Sequence, residues 1–144
     1  MLTDLKSYPY KLLPKYPGMR LADEVIWDEF IKKNPDSFLG CWYNVPLGDP
    51  FPEEAAKEEA VQNGGYDVSQ WRIDVVAKTK DTWVVIELKP NAGPGSLGQA
   101  LTYSKLLEKE WGLTQPVIPV VITDSLSPIL EQAAALLKVQ VLIA

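Results

Sequence analysis

The chain has no histidine and one cysteine, Cys41, among its 144 residues. Without histidine, Ser/His and Cys/His catalysis and the usual zinc ligand sets are excluded. A lone cysteine excludes a disulfide framework and any four-cysteine zinc or iron–sulfur site, and its apolar-aromatic neighbours mark Cys41 as a buried core thiol. No apolar run has the length of a membrane-spanning helix, and the first residues, with Asp4, Lys6 and repeated prolines, lack a secretory pattern. The expectation is one domain over residues 1–144, cytoplasmic and independent of membranes, long enough to bury a core. Any metal chemistry is left to oxygen donors, which suit Mg²⁺ or Mn²⁺.

The net charge of −5 argues against a polyanionic partner only until its distribution is considered. Residues 49–59 hold five acids against one lysine, leaving the remainder near neutral. Residues 1–20 carry Lys6, Lys11, Lys15 and Arg20 against Asp4, interleaved with Tyr8, Tyr10 and Tyr16. The stretch 1–19 therefore reads either as a basic, aromatic arm for a nucleic-acid backbone and its bases, or as a terminal segment packed down by its tyrosines.

Pro14, Pro17 and Gly18 keep the start irregular, and the pattern predicts a helix over residues 20–33, stopped before Pro35. A strand is predicted over 37–45. Residues 46–70, rich in turn formers and acids, read as an excursion from the core with a short acidic helix over 53–62. Two β-type runs follow, 71–77 and 83–89, with residues 78–82 between them as a hairpin connection. After a loop through 90–98, helices are predicted over 97–111 and from Ser127-Pro128 to 138. Strands are predicted over 117–123 and 139–143.

The hairpin carries the chemistry. If its turn is centred between Lys80 and Asp81, pairing partners sum to 161 and Asp74 falls across from Glu87. Opposed β-carbons lie roughly 4.5–5.5 Å apart, and two carboxylates so placed repel unless a cation neutralises them. Lys89, two residues beyond Glu87, projects from the same face. Glu87 also interrupts the apolar run Val84-Val85-Ile86 and Leu88, where an unpartnered carboxylate costs several kcal/mol. Asp74, Glu87 and Lys89 thus read as a divalent-metal site with a lysine beside it. The competing reading is a buried ion pair, Glu87 with Lys89 or Asp74 with Arg72.

Ile73-Asp74, twelve intervening residues, then Glu87-Leu88-Lys89 resembles the signature of the PD-(D/E)XK nuclease superfamily, with Ile in place of Pro. Gln99-Ala100-Leu101-Thr102-Tyr103 resembles the Gln-hydrophobic-x-x-Tyr motif of its RecB-like branch. The resemblance implies an α/β fold with a restriction-endonuclease-like core, a central mixed β-sheet flanked by helices in the order αβββαβ, plus a C-terminal αβ. It further implies a Mg²⁺- or Mn²⁺-dependent deoxyribonuclease of DNA repair or recombination. Asp74 and Glu87 would hold the metal with the Leu88 backbone carbonyl, and Lys89 would orient the attacking water or stabilise developing charge. Gln99 and Tyr103, one helical turn apart, would position Lys89, the water or a DNA phosphate. The superfamily often adds an acid from the first helix. Glu24, with Leu21, Trp27 and Ile31 on its stripe, is the first choice and Asp28 the second. RecB-like exonucleases commonly carry a histidine here; its absence leans the resemblance toward a resolvase-like or restriction-like site.

Lys11, Lys15 and Arg20 are the expected DNA-backbone contacts, with the amides of Gly95 and Ser96 available to a phosphate at a helix start. DNA is the expected partner, with a homodimer or a larger nucleic-acid-processing complex beside it. Two other classes stay open. One is a nuclease-like DNA-binding module without turnover. The other is a nucleotide-binding α/β domain, since residues 93–98 fit G-x-G-x-x-G, although Glu87, Lys89 and Pro90 stand where a Rossmann strand should run apolar into its first glycine.

Overall fold

Strand propensity and alternation place five strands in one sheet, β1 (Gly40–Leu47), β2 (Trp71–Lys78), β3 (Trp83–Leu88), β4 (Val117–Thr123) and β5 (Gln140–Ile143), in that spatial order. The computed structural model describes residues 4–48 and 71–144. The acidic run 49–59, the acidic helix expected over 53–62 and most of the 46–70 excursion lie outside those residues. β1 and β2 pair antiparallel, as do β2 and β3, while β3–β4 and β4–β5 are parallel, so the sheet is mixed. Among the described residues three helices flank it: α1 (Leu21–Lys33), α2 (Pro94–Trp111) and α3 (Pro128–Leu137).

The β2–β3 register is the one expected. Val75 pairs with Ile86 and Lys78 with Trp83, every pair summing to 161, around a four-residue turn. Thr79 and Thr82 tie that turn through their hydroxyls, 2.6 Å apart, and through the Thr82 amide donating to Thr79 Oγ1. β3 is buried along its whole length, as its apolar run requires of a central strand. Val84, Ile86 and Leu88 face the layer of α1, with Trp27, Phe30 and Ile31. Val85 and Trp83 face the layer of α2, with Tyr103 and Leu107. Burying a tryptophan such as Trp27 completely contributes several kcal/mol.

Some boundaries differ from expectation, each for a physical reason. β1 begins three residues later and runs through Pro46 to Leu47, because an edge strand tolerates a proline where no ladder amide is needed. α2 begins at Pro94 rather than 97, since the first helical position needs no N–H donor. Gly95 and Gly98 therefore lie within a helix, not in a loop. The stretch 4–19 is not a free arm: Tyr8 makes a two-bond bridge with Cys41, and Tyr10 and Tyr16 are core residues. Tyr10 donates to the Asn34 carbonyl at 2.6 Å and Tyr16 to Asp28 at 2.5 Å. Its aromatic rings pack the core rather than wait for bases. Cys41 is a buried thiol beside the Tyr43 hydroxyl, 3.2 Å away. Among the described residues no helix is long and apolar enough to cross a membrane.

Candidate active site

At the carboxyl end of β3 the antiparallel ladder stops. Pairing ends at Val75–Ile86, and Asp74 is skipped by the ladders on both sides. Opposite it in β1, Asn44 adopts a left-handed backbone, φ +53°, rare for a non-glycine residue. Across this break both strands change layer: Tyr43 and Val75 join the α1 layer, Val45 and Ile73 the α2 layer. The Asp74 carboxylate is left at the junction. Its Oδ2 accepts the Leu88 amide at 2.9 Å, replacing the strand carbonyl that the ended ladder no longer supplies.

Glu87, on the central strand and 6% exposed, stands beside it. Its Oε1 has no hydrogen-bond partner among the described residues. Burial pushes the Glu87 carboxyl up, well above neutral, and the Asp74 charge pushes the same way. Asp74 is raised too, by burial, against the opposing pull of the Leu88 amide. Burial raises both carboxyls, and the hydrogen bond between them raises Glu87 while lowering Asp74. Neither the Glu87–Lys89 nor the Asp74–Arg72 ion pair forms among the described residues. Arg72 donates instead to the Asn44 carbonyl at 3.2 Å.

Both carboxylates open into a cavity of about 470 Å³, which Lys89, Gln99 and Tyr103 also line. The hairpin and α2 thus bring together six of the residues singled out from sequence, Leu88 included. Burial raises the Tyr103 hydroxyl, the charges of Glu87 and Asp74 raise it further, and a hydrogen bond from Gln99 opposes them. Arg20, the residue capping α1, reaches the same cavity, as does Arg72.

Other expected residues sit elsewhere. Glu24 is turned inward, its side chain 13% exposed, but toward Lys15, 3.6 Å away, and it does not line the cavity. Asp28 is taken by Tyr16. The acid that α1 sends to the cavity is Asp23, raised by burial and drawn back by Arg20 and Lys89. The stripe through Leu21 was mis-centred: Leu21 is 75% exposed, and the buried positions are Ile26, Trp27, Phe30 and Ile31. Asp23 stands at i to Ile26, Trp27 and Phe30 at i+3, i+4 and i+7, and that spacing was the available signal. Lys11 is exposed away from the cavity lining and Lys15 is engaged by Glu24. Ser96 is buried and its amide donates to the Gly93 carbonyl, so it is not offered to a phosphate; Gly95 is exposed.

Among the described residues no three or more Asp, Glu or Cys side chains converge on one point. Asp74, Glu87 and the Leu88 carbonyl are nonetheless a fitting donor set for Mg²⁺, which keeps several of its waters and takes one or two carboxylates. The orphaned Glu87 oxygen is the observation that fits such an ion.

No protein-family model matches the chain, and no curated protein matches it in sequence. Solved structures do match. A complex of EndoMS with double-stranded DNA aligns over 92% of this chain and 48% of its own, with TM-score 0.50 and 18% identity. A repair endonuclease from Pyrococcus abyssi aligns over 92% and 49%, with TM-score 0.51 and 19% identity. A protein of unknown function aligns over 86% and 58%, with TM-score 0.52 and 17% identity. The chain spans about half the length of these structures. With the five-stranded mixed sheet and its three helices, they show that the chain has the restriction-endonuclease-like fold of the PD-(D/E)XK nucleases.

Proposed function

We propose that the chain is a metal-dependent nuclease that hydrolyses DNA phosphodiester bonds in the cavity of Asp74, Glu87 and Lys89. The observation that carries this reading is the buried, unpartnered Glu87 Oε1 beside a second buried carboxylate, with a lysine on the same wall. Two carboxylates in an apolar sheet destabilise the fold unless something neutralises them. Asp74, Glu87 and the Leu88 carbonyl are the holders of Mg²⁺ or Mn²⁺. When bound, such an ion neutralises the non-bridging phosphate oxygens and lowers the pKa of a water.

The chain's own residues do the rest. Leu88 N–H holds Asp74 in place, so one carboxylate is oriented before any ligand arrives. Lys89 presents a compact charge to the oxygen that becomes anionic as the P–O bond breaks. Gln99, bonded to Tyr103, orients the water or the phosphate from α2. Arg20 and Arg72 add the charge that draws an anionic backbone into an otherwise acidic cavity. One cavity per chain cuts one strand, so cleavage of both strands takes a second copy.

Purified protein should cleave some form of DNA in Mg²⁺ or Mn²⁺ and stop in EDTA, across linear, circular, single-stranded and four-way-junction substrates. Lys89→Ala should keep the thermal transition and lose cleavage; undiminished cleavage removes Lys89 from the chemistry. Among the described residues no three acids converge, which leaves a second reading, a nuclease-like module that binds DNA without turnover. Mn²⁺ titration separates the two: binding lost in Asp74→Asn supports the nuclease, and no binding by either protein supports the module.

A further inference from the structure

Trp71, the first residue of β2, leaves 60% of its surface in water. An indole carries a large apolar area and is usually mostly covered. This one leans on Tyr103, ring centroids 6.0 Å apart and planes tilted by 31°. Beside the pair lies a cavity of about 330 Å³ lined by Trp71, Gly98, Gln99, Thr102 and Tyr103. Sites for small ligands start at roughly this volume, about 300 Å³. The space beside Gly98 is open: a Cβ built there meets nothing within 4 Å.

The location and the chemistry point the same way. Gln99 and Tyr103 also line the cavity of Asp74, Glu87 and Lys89, so the two cavities share a wall. The first holds Arg20, Arg72 and Lys89, which suit phosphate. Among the described residues the second is lined by no charged side chain, but by aromatic rings, an amide and the Thr102 and Tyr103 hydroxyls. A π-face stacks on any base, and an amide both donates and accepts along a base edge.

We propose that this second cavity is a nucleobase subsite, in which an unpaired base stacks on Trp71 and meets Gln99 and Thr102. The adjacent backbone then passes Asp74, Glu87 and Lys89. This rests on the nuclease reading for the neighbouring cavity, and it narrows the substrate to single-stranded DNA or DNA with an unpaired nucleotide. A base inside a duplex is already stacked and must leave the helix to reach such a site.

The test uses the full chain in EDTA, so cleavage plays no part, and fluorescence anisotropy with an oligothymidylate, an abasic strand of the same length and a duplex. Wild type should prefer the thymidylate to the abasic strand by at least about five-fold, the lower end of base stacking on an aromatic side chain. Trp71→Ala should bind the two alike and Trp71→Phe should keep most of the preference. Gly98→Leu, filling the cavity from a position free of contacts, should lose it as well. The subsite is overturned if the wild type shows no base preference, or if Trp71→Ala retains it. Cleavage in Mn²⁺ is followed in parallel. A Trp71-dependent preference without cleavage leaves the subsite standing and removes the nuclease reading; cleavage without the preference does the reverse.

Discussion

Replacing Glu87 with Gln should stabilise the metal-free protein at neutral pH. Glu87 sits among Val85, Ile86 and Leu88 at 6% exposure, its proton retained well above neutral by burial and by Asp74. A carboxyl raised in the folded state holds a proton that the unfolded chain releases once pH passes its ordinary value of 4.5. The native state therefore binds more protons than the unfolded state, and stability falls as pH rises from that value through the folded one. Two and a half pH units separate 4.5 from neutrality, at about 1.4 kcal/mol each, so the loss on this residue's account reaches about 3 kcal/mol. Glutamine keeps the shape and offers Asp74 the N–H that protonated Glu87 offers as O–H, but it cannot ionise. In EDTA, Glu87→Gln should thus melt about 9 °C above wild type near pH 7, at about 3 °C per kcal/mol, with the gap closing toward pH 5. Mn²⁺ at a thousand times Kd should reverse the order, since only wild type keeps both carboxylates and gains about 4.1 kcal/mol there, against the about 3 kcal/mol that favours the variant. Melting curves in EDTA that coincide across that pH range would refute the reasoning.

Gly18→Ala should lower the urea midpoint by an amount equal to at least about 2 kcal/mol, because a left-handed backbone alone costs roughly 1–2 kcal/mol. Here φ is +67°, and the new Cβ would stand 2.4–2.9 Å from the Asn44 side chain; an unchanged midpoint contradicts this account of the cavity wall. Asp23→Asn should slow Mn²⁺-dependent cleavage about ten-fold or more, the usual cost of a group supporting a metal site, while Glu24→Gln changes it little. The opposite order would return the α1 acid to Glu24.

The hairpin was legible because its information is local. A period of two and a turn of fixed length decide which residues oppose one another, so the 161 register followed from residues 71–89 alone. Gln99 and Tyr103 came from the resemblance to the Gln-hydrophobic-x-x-Tyr motif; their spacing of one helical turn puts them on one face, and both line the cavity. The α1 acid was not legible, because choosing between Asp23 and Glu24 requires knowing where the helix overhangs the sheet. Leu21 and Val25 are apolar yet exposed there. The tyrosines of residues 8–16 were ambiguous for a different reason. Whether a terminal aromatic packs or waits for a partner depends on a strand thirty residues away, and Cys41 supplies the bridge that pins Tyr8. Trp71 could be read as the first residue of a strand, but not as the wall of a cavity, since only the fold sets it against Tyr103.

The break in the sheet at Asn44 and Asp74 explains how two carboxylates can meet in an otherwise apolar layer, as the proposed metal site requires. Had the ladder continued, Asp74 would have kept strict alternation and Leu88 N–H would have faced a β2 carbonyl. Asn44 instead turns left-handed, Gly18 leaves room for its side chain, and both strands exchange layers at that point. The unpaired Leu88 amide is satisfied by the Asp74 side chain rather than by backbone. Among the described residues the antiparallel ladders are interrupted where the two carboxylates meet. The cost of the left-handed Asn44 and of the unpartnered Glu87 oxygen is met by the surrounding layers of α1 and α2, which bury Ile73, Val75 and Ile86 completely. A site strained in its metal-free form is one whose stability rises most when the neutralising cation binds, which links the folding measurement on Glu87→Gln to the cleavage measurement on Lys89→Ala.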